Sequence, residues 1–213
     1  IGYKDAIRVE IQPDDAAFNT SDIRHASIRW ITTARSSFAA IGPRVVDPRT
    51  GEILDADIGF DATSFRAHKS LVSEAIPQRT GMGAAHVAHG DDPYCNYAEE
   101  SAEEDAFALS LLEARGELTL DGPQAEAFIR GHLKEVVMHE VGHTLGLTHN
   151  FRASTAYSET QLTDREFTSK HGIAGSVMEY NAVNLALKGE RQGEYHMSTL
   201  GPYDYWAIEY GYR

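Results

Sequence analysis

His139-Glu140-Val141-Gly142-His143-Thr144-Leu145-Gly146-Leu147-Thr148-His149 stands at the end of the clearest helical pattern in the chain, and the remaining segments arrange themselves around it. Asp121-Gly122-Pro123 marks a helix start with proline in the first turn. Ala125, Phe128, Ile129, Leu133, Val136, Val137, Val141 and Leu145 then recur at spacings of three and four. At about 100° per residue, His139 and His143 point within roughly 40° of each other, one turn apart. Two imidazoles stacked in this way can grip one metal ion, and three nitrogen ligands with an open fourth position describe a catalytic zinc site. Glu140 leaves the helix about 60° round from His143, too far to join that pair but well placed to touch a water on the metal. A continued helix would carry His149 about 15 Å along the axis from His139, out of reach of the same ion. Gly146 removes the obstacle, because it can take positive φ, end the helix and turn the chain back so that His149 becomes the third ligand.

Upstream, the patterns have the period of strands. Residues 6–11 alternate apolar and polar with β-branched side chains until Pro13-Asp14-Asp15 stops them, which predicts a strand. Residues 27–33 predict a second strand, with a short helix from Asp22 onward as the alternative. A third apolar run, 39–46, ends in Asp47-Pro48-Arg49-Thr50-Gly51, a strong turn signal. Residues 52–60 then set Ile53, Asp55 and Asp57 against Leu54, Ala56 and Ile58, which predicts a hairpin whose second strand has one solvated face, as at a sheet edge. Asp55 and Asp57 fit edge-strand solubility charges better than calcium ligands. Residues 67–75 suit a short helix, 81–97 an irregular surface loop, and 101–112 an amphipathic helix ending before Gly116. After Asn150 the sequence is polar and irregular as far as a C-terminal helix at 203–210. Strands first and helices later predict an α+β fold in one domain.

Composition narrows the function classes. With 19 Lys+Arg against 32 Asp+Glu, the 213-residue chain carries a formal charge of −13, which disfavours nucleic acid or an anionic membrane surface as partner. Hydrophobic residues at 42% suffice for a packed core, and no run approaches the ~18 apolar residues that membrane insertion needs. A lone cysteine, Cys95, excludes an internal disulfide framework. The chain starts at Ile1 and has the look of a mature or excised piece of a longer polypeptide.

Gly175-Ser176-Val177-Met178-Glu179-Tyr180 adds a second element. Alone, Met178 would be a core filler. Beside the extended histidine motif the segment resembles the Met-turn of the metzincins, a tight turn whose methionine lies beneath the zinc ligands. The Ser-Val-Met-Glu-Tyr order is similar to the astacin and serralysin version, where a tyrosine two positions after the methionine reaches the metal or the oxyanion; here that residue would be Tyr180. Residues 50–58 resemble the metzincin hairpin leading to the strand that lines the substrate cleft, and 201–211 resemble the final helix of that fold. Asn150-Phe151 departs from the Ser, Asp, Glu or Pro that follows the third histidine in matrixins, adamalysins, astacins and serralysins. It is closer to the bacterial zinc-dependent metalloproteases called Met-zincins, whose segments read Ile-Arg-Trp-Val, His-Asn-Phe and Ser-Val-Met-Asp-Tyr. The likeness runs over nearly all of residues 1–213. It implies a metzincin-like catalytic domain with a twisted mixed sheet, a long active-site helix and a small C-terminal subdomain, divided into an upper part, 1–149, and a lower part, 150–213. The first helix of that fold would precede Ile1. Members are usually much longer, exported bacterial proteins, which implies a periplasmic or extracellular setting.

Together, residues and resemblance predict a zinc-dependent endopeptidase acting on peptides or proteins. His139, His143 and His149 would hold one catalytic Zn2+, Glu140 would act as general base, and Tyr180 would steady the oxyanion. An extended substrate would add as a strand near residues 53–60. The alternatives are a zinc hydrolase of non-peptide amides or esters, and a zinc-containing binding module without activity, against which the intact Glu140 argues. A second, structural metal is conceivable at His86, His89, Asp91, Asp92 and Cys95, where a solvated loop is the simpler account. Cys95 could also cap the zinc as an inhibitory thiolate, although a lone buried thiol is commoner.

Overall fold

Ile53–Asp61 (β4) is the strand around which the sheet is built. In the computed structural model, which describes residues 2–32, 40–62 and 95–213, it runs parallel to Ser27–Ile31 (β1) and antiparallel to Ala40–Ile41 (β2) and Arg44–Val46 (β3). Ser27 faces Asp57, Ala40 faces Phe60, and Arg44 faces Ala56. The sheet is therefore mixed, as expected, but β4 is its centre and not its edge. The acids that suggested a solvated edge have partners within the sheet: Asp57 Oδ1 accepts from Ser27 N at 3.2 Å and Ser27 Oγ at 2.6 Å, and Arg29 lies 3.5 Å from its other oxygen. The hairpin itself forms where the turn residues placed it. Gly51 N donates to Asp47 O at 2.8 Å, Arg49 N donates to the Asp47 side chain at 2.9 Å, and Gly51 has φ of 76°.

The strand expected at 6–11 does not form. Ile7, Val9 and Ile11 are 66%, 86% and 95% exposed, so the alternation buries no apolar face, and alternation without a partner strand does not make a sheet. The expectations at 67–75 and over most of 81–97, including His86, His89, Asp91 and Asp92, lie outside the described residues.

Tyr97–Ala114 (α1) begins four residues earlier than its amphipathic pattern suggested, and Pro123–Thr144 (α2) is the long helix. They pack through Ala108, Leu109, Leu112, Ala125 and Phe128. A second cluster, Ala40, Ile58, Phe60, Tyr97, Ala98 and Val136, fastens both helices to the sheet. The buried face of α2 is not the purely apolar stripe that periodicity picks out. His132, Glu135, His139 and Glu140 are fully buried, while Leu133, Val137, Val141 and Leu145 are half-buried.

Beyond Asn150 the chain is more ordered than its polarity implied. A 3-10 turn at Ala153–Ala156 and two short helices, Glu159–Leu162 (α3) and Arg165–His171 (α4), precede Pro202–Tyr212 (α5). Local caps make them, not apolar period: Gln161 Oε1 accepts from Ser158 N, and Asp164 accepts from Glu166 N and Phe167 N. Ala153, Ile173, Ala174, Val177, Met178 and Met197 form the core of this part. Among the described residues, no helix is long and apolar enough to cross a membrane.

Candidate metal centre

The end of α2 is a Schellman cap. Leu147 N donates to Gly142 O at 3.0 Å, Gly146 N donates to His143 O at 3.0 Å, and Gly146 sits at φ of 91°, where a side chain would be strained. This reversal brings His149 back over His139 and His143. His143 Nε2 and His149 Nε2 lie 3.0 Å apart, and the His139 ring stands 4.8 Å from His143 and 5.3 Å from His149 between centroids. Nδ1 of His139 donates to Val177 O at 2.7 Å and Nδ1 of His143 donates to Leu147 O at 3.1 Å. With Nδ1 used as the donor, the lone pair of each ring is on Nε2, the atom that converges with its neighbours.

Burial keeps these imidazoles neutral. It pulls His139 down to about 3 and His149 down to about 4, with the neighbouring histidines adding to the effect. His143 is lowered by burial as well, with a contribution from Arg44, whose Nη1 donates to His143 O at 2.7 Å and so ties β3 to the last turn of α2. Neutral imidazole is the form that binds a metal. Metal–nitrogen bonds of about 2.0–2.1 Å put tetrahedral ligand atoms roughly 3.3 Å apart, so this donor set suits an ion of the zinc class.

Met178 is fully buried against Gly142, where an added Cβ would run into its sulfur. The turn carrying it is held by a residue that motif reading overlooks. Asp204, in the first turn of α5, accepts from Ser176 Oγ at 2.6 Å, Val177 N at 3.0 Å and Gly201 N at 2.8 Å. Proline at residue 202 followed by an acid at the third helical position was the available signal. Glu140 is fully buried beside Gly42, between β2 and β3, where a Cβ would come within 2.9 Å of Oε2. A Cβ there would also lie 2.6 Å from Glu140 O, and this close approach of the two backbones requires glycine.

Tyr180 reaches the same place. Its ring lies 4.7 Å from that of His149, and its hydroxyl donates to Asn96 Oδ1 at 2.9 Å. Burial, then Cys95, raises its phenol well above the usual range, so it is a proton donor at any ordinary pH. Cys95, expected with the 86–92 loop or as a cap on the metal, stands with Sγ 3.3 Å from His139 Nε2 and 3.4 Å from Tyr180 Oη. One ligand atom from each of Cys95, His139, His143 and His149 falls within 4.8 Å of the others, a group able to hold a metal ion. Tyr97 stacks on His139 at 4.5 Å. Asp55, by contrast, is remote in role: its Oδ1 accepts from Ala56 N.

No curated protein and no solved structure matches this chain. A family model does, over the segment that holds α2, the three histidines, the Met178 turn and α5. Over residues 121–213, just under half of its length, the chain is similar to the family described as Met-zincin, whose model matches that segment.

Proposed function

We propose that the protein is a zinc-dependent endopeptidase whose single catalytic ion is held by Nε2 of His139, His143 and His149. The observation that carries this is the convergence of three neutral imidazoles, two of them oriented by backbone carbonyls, with a carboxylate next in sequence to the first. When bound, zinc supplies Lewis-acid chemistry, polarising a carbonyl and making water acidic enough to lose a proton near neutral pH. Glu140 would accept a proton from the attacking water and return it to the departing amine. Tyr180 donates its hydroxyl hydrogen to the oxyanion that develops on the scissile carbonyl. The thiol of Cys95, 3.3 Å from His139 Nε2, would be a fourth donor beside the three imidazoles. Since β4 is central, an extended substrate aligns instead along the β3 side, where Val45 and Val46 are 53% and 41% exposed and Arg44 touches the end of α2. By family likeness the protein is an exported metallopeptidase, acting on peptide or protein, and residues 1–213 serve as its catalytic domain.

The test is hydrolysis of unrelated denatured proteins, such as casein, with and without a chelator. Hydrolysis should stop on chelation and return with zinc. In Glu140→Gln, zinc content should stay near wild type while hydrolysis falls by ~10² or more. Normal turnover in that variant would refute the proton-transfer role. Cleavage of small esters with no cleavage of proteins would favour the non-peptide hydrolase.

A further inference from the structure

Seven residues before His139, two turns and roughly 10 Å along α2, His132 enters a second group. Its partners are Asp105 from α1 and His196 from the segment before α5. Asp105 Oδ1 accepts from His196 Nε2 at 2.9 Å, and Oδ2 lies 3.0 Å from His132 Nδ1. One ligand atom from each residue lies within 4.8 Å of the others. All three are sealed from solvent, at 1%, 2% and 5% exposure for Asp105, His132 and His196. The proposed peptidase mechanism uses none of them.

We propose that Asp105, His132 and His196 bind a second divalent transition ion of the zinc class, structural in role. Two imidazoles and a carboxylate form a donor set that such ions take. The charge balance points the same way. Glu135, one turn further along α2, is 2% exposed and acts electrostatically on His196, so two carboxylates are buried beside two imidazoles. Burial of charge without a counter-charge is costly. A dication compensates the carboxylates while leaving both rings neutral.

The surroundings fix the donors. Phe128 packs edge-on to His196 at 4.5 Å between centroids. Gly131 lets that ring approach α2, since a Cβ there would lie 3.0 Å from His196 Nδ1. Glu135 is itself held by Asn181 Nδ2 at 2.8 Å. Ligands from three segments, with Asp105 and His196 separated by 91 positions, make such an ion a staple joining α1, α2 and the approach to α5.

The test is metal stoichiometry of the full chain after loading with zinc and removal of excess. Wild type should hold about two ions, and His196→Gln and His149→Ala about one each. Should His196→Gln not fold, titration of the wild-type apoprotein with Co2+ gives the same answer, with two equivalents developing ligand-field absorption. One ion in wild type, lost in His149→Ala and kept in His196→Gln, would overturn the inference and leave the peptidase reading standing. Two ions retained in His196→Gln would overturn it too. One ion lost in His196→Gln and kept in His149→Ala would instead support this site and overturn the catalytic one.

Discussion

α2 delivers histidines to two groups on one stripe of its surface: His132 to the group with Asp105 and His196, and His139 with His143 to the group with His149. The outer group is all imidazole among its motif residues, and His143 and His149 are half-buried, so a substrate can reach it. The inner group includes a carboxylate and is closed on every side. An open site with neutral ligands leaves room for water and for a reacting carbonyl, whereas a sealed site with its own anion can only hold an ion in place. On the two proposals, the same helix would present chemistry at its C-terminal end and fastening two turns earlier.

The sharpest way to separate the two groups is His149→Ala. Its ring closes the outer group only because Gly146 reverses the chain. Peptide hydrolysis should fall to background with loss of the outer ion, while the ion held through His196 persists. Loss of both ions together would show that the groups are coupled. Tyr180→Phe should follow in size. It keeps the ring packed against His149 and removes only the hydroxyl, so kcat should drop by ~10²–10³ with zinc content unchanged, the scale of one lost oxyanion donor. An unaltered kcat would leave Tyr180 a packing residue. Gly142→Ala tests the floor of the outer group: the new methyl meets Met178 Sδ, and overpacking of this kind costs about 1–3 kcal/mol, readable as a lower Tm with His132 undisturbed.

The outer group was legible in the sequence because its parts are local. An i, i+4 histidine pair, a glycine stop and a third histidine lie within eleven residues, and helical geometry together with the glycine reversal assembles them. The inner group was not, because Asp105, His132 and His196 are brought together only by packing of α1, α2 and a distant segment. His132 and Glu135 left a trace, since they occupy the face of α2 that carries His139. A count restricted to apolar residues passes over them. The hairpin at 44–61 was legible through its turn chemistry, but the place of β4 within the sheet depended on β1 pairing across 30 residues, which alternation cannot reveal. The strand expected at 6–11 failed for the matching reason: alternation specifies a strand only when something pairs with it.

The smallest expected effect lies in the proton linkage of the chelated protein, where the outer imidazoles and Asp105 oppose each other. Burial lowers His139 from 6.5 to about 3 and His149 from 6.5 to about 4, so in that window the unfolded chain takes up protons that the fold refuses. Their stabilisation is complete above 6.5 and is lost as pH falls towards those values. Burial raises Asp105 from 3.8 to about 7, so there the fold holds a proton that the unfolded chain releases. That contribution is complete below 3.8 and is lost as pH rises towards 7. Between about pH 4 and 6.5 the two slopes therefore have opposite signs and partly cancel. Removing one side should expose the other. In thermal melts of the metal-free protein, His149→Ala should lose less stability on acidification than wild type, and Asp105→Asn should lose more. Identical slopes in all three proteins would mean that the inner and outer groups do not differ in the way their surroundings dictate.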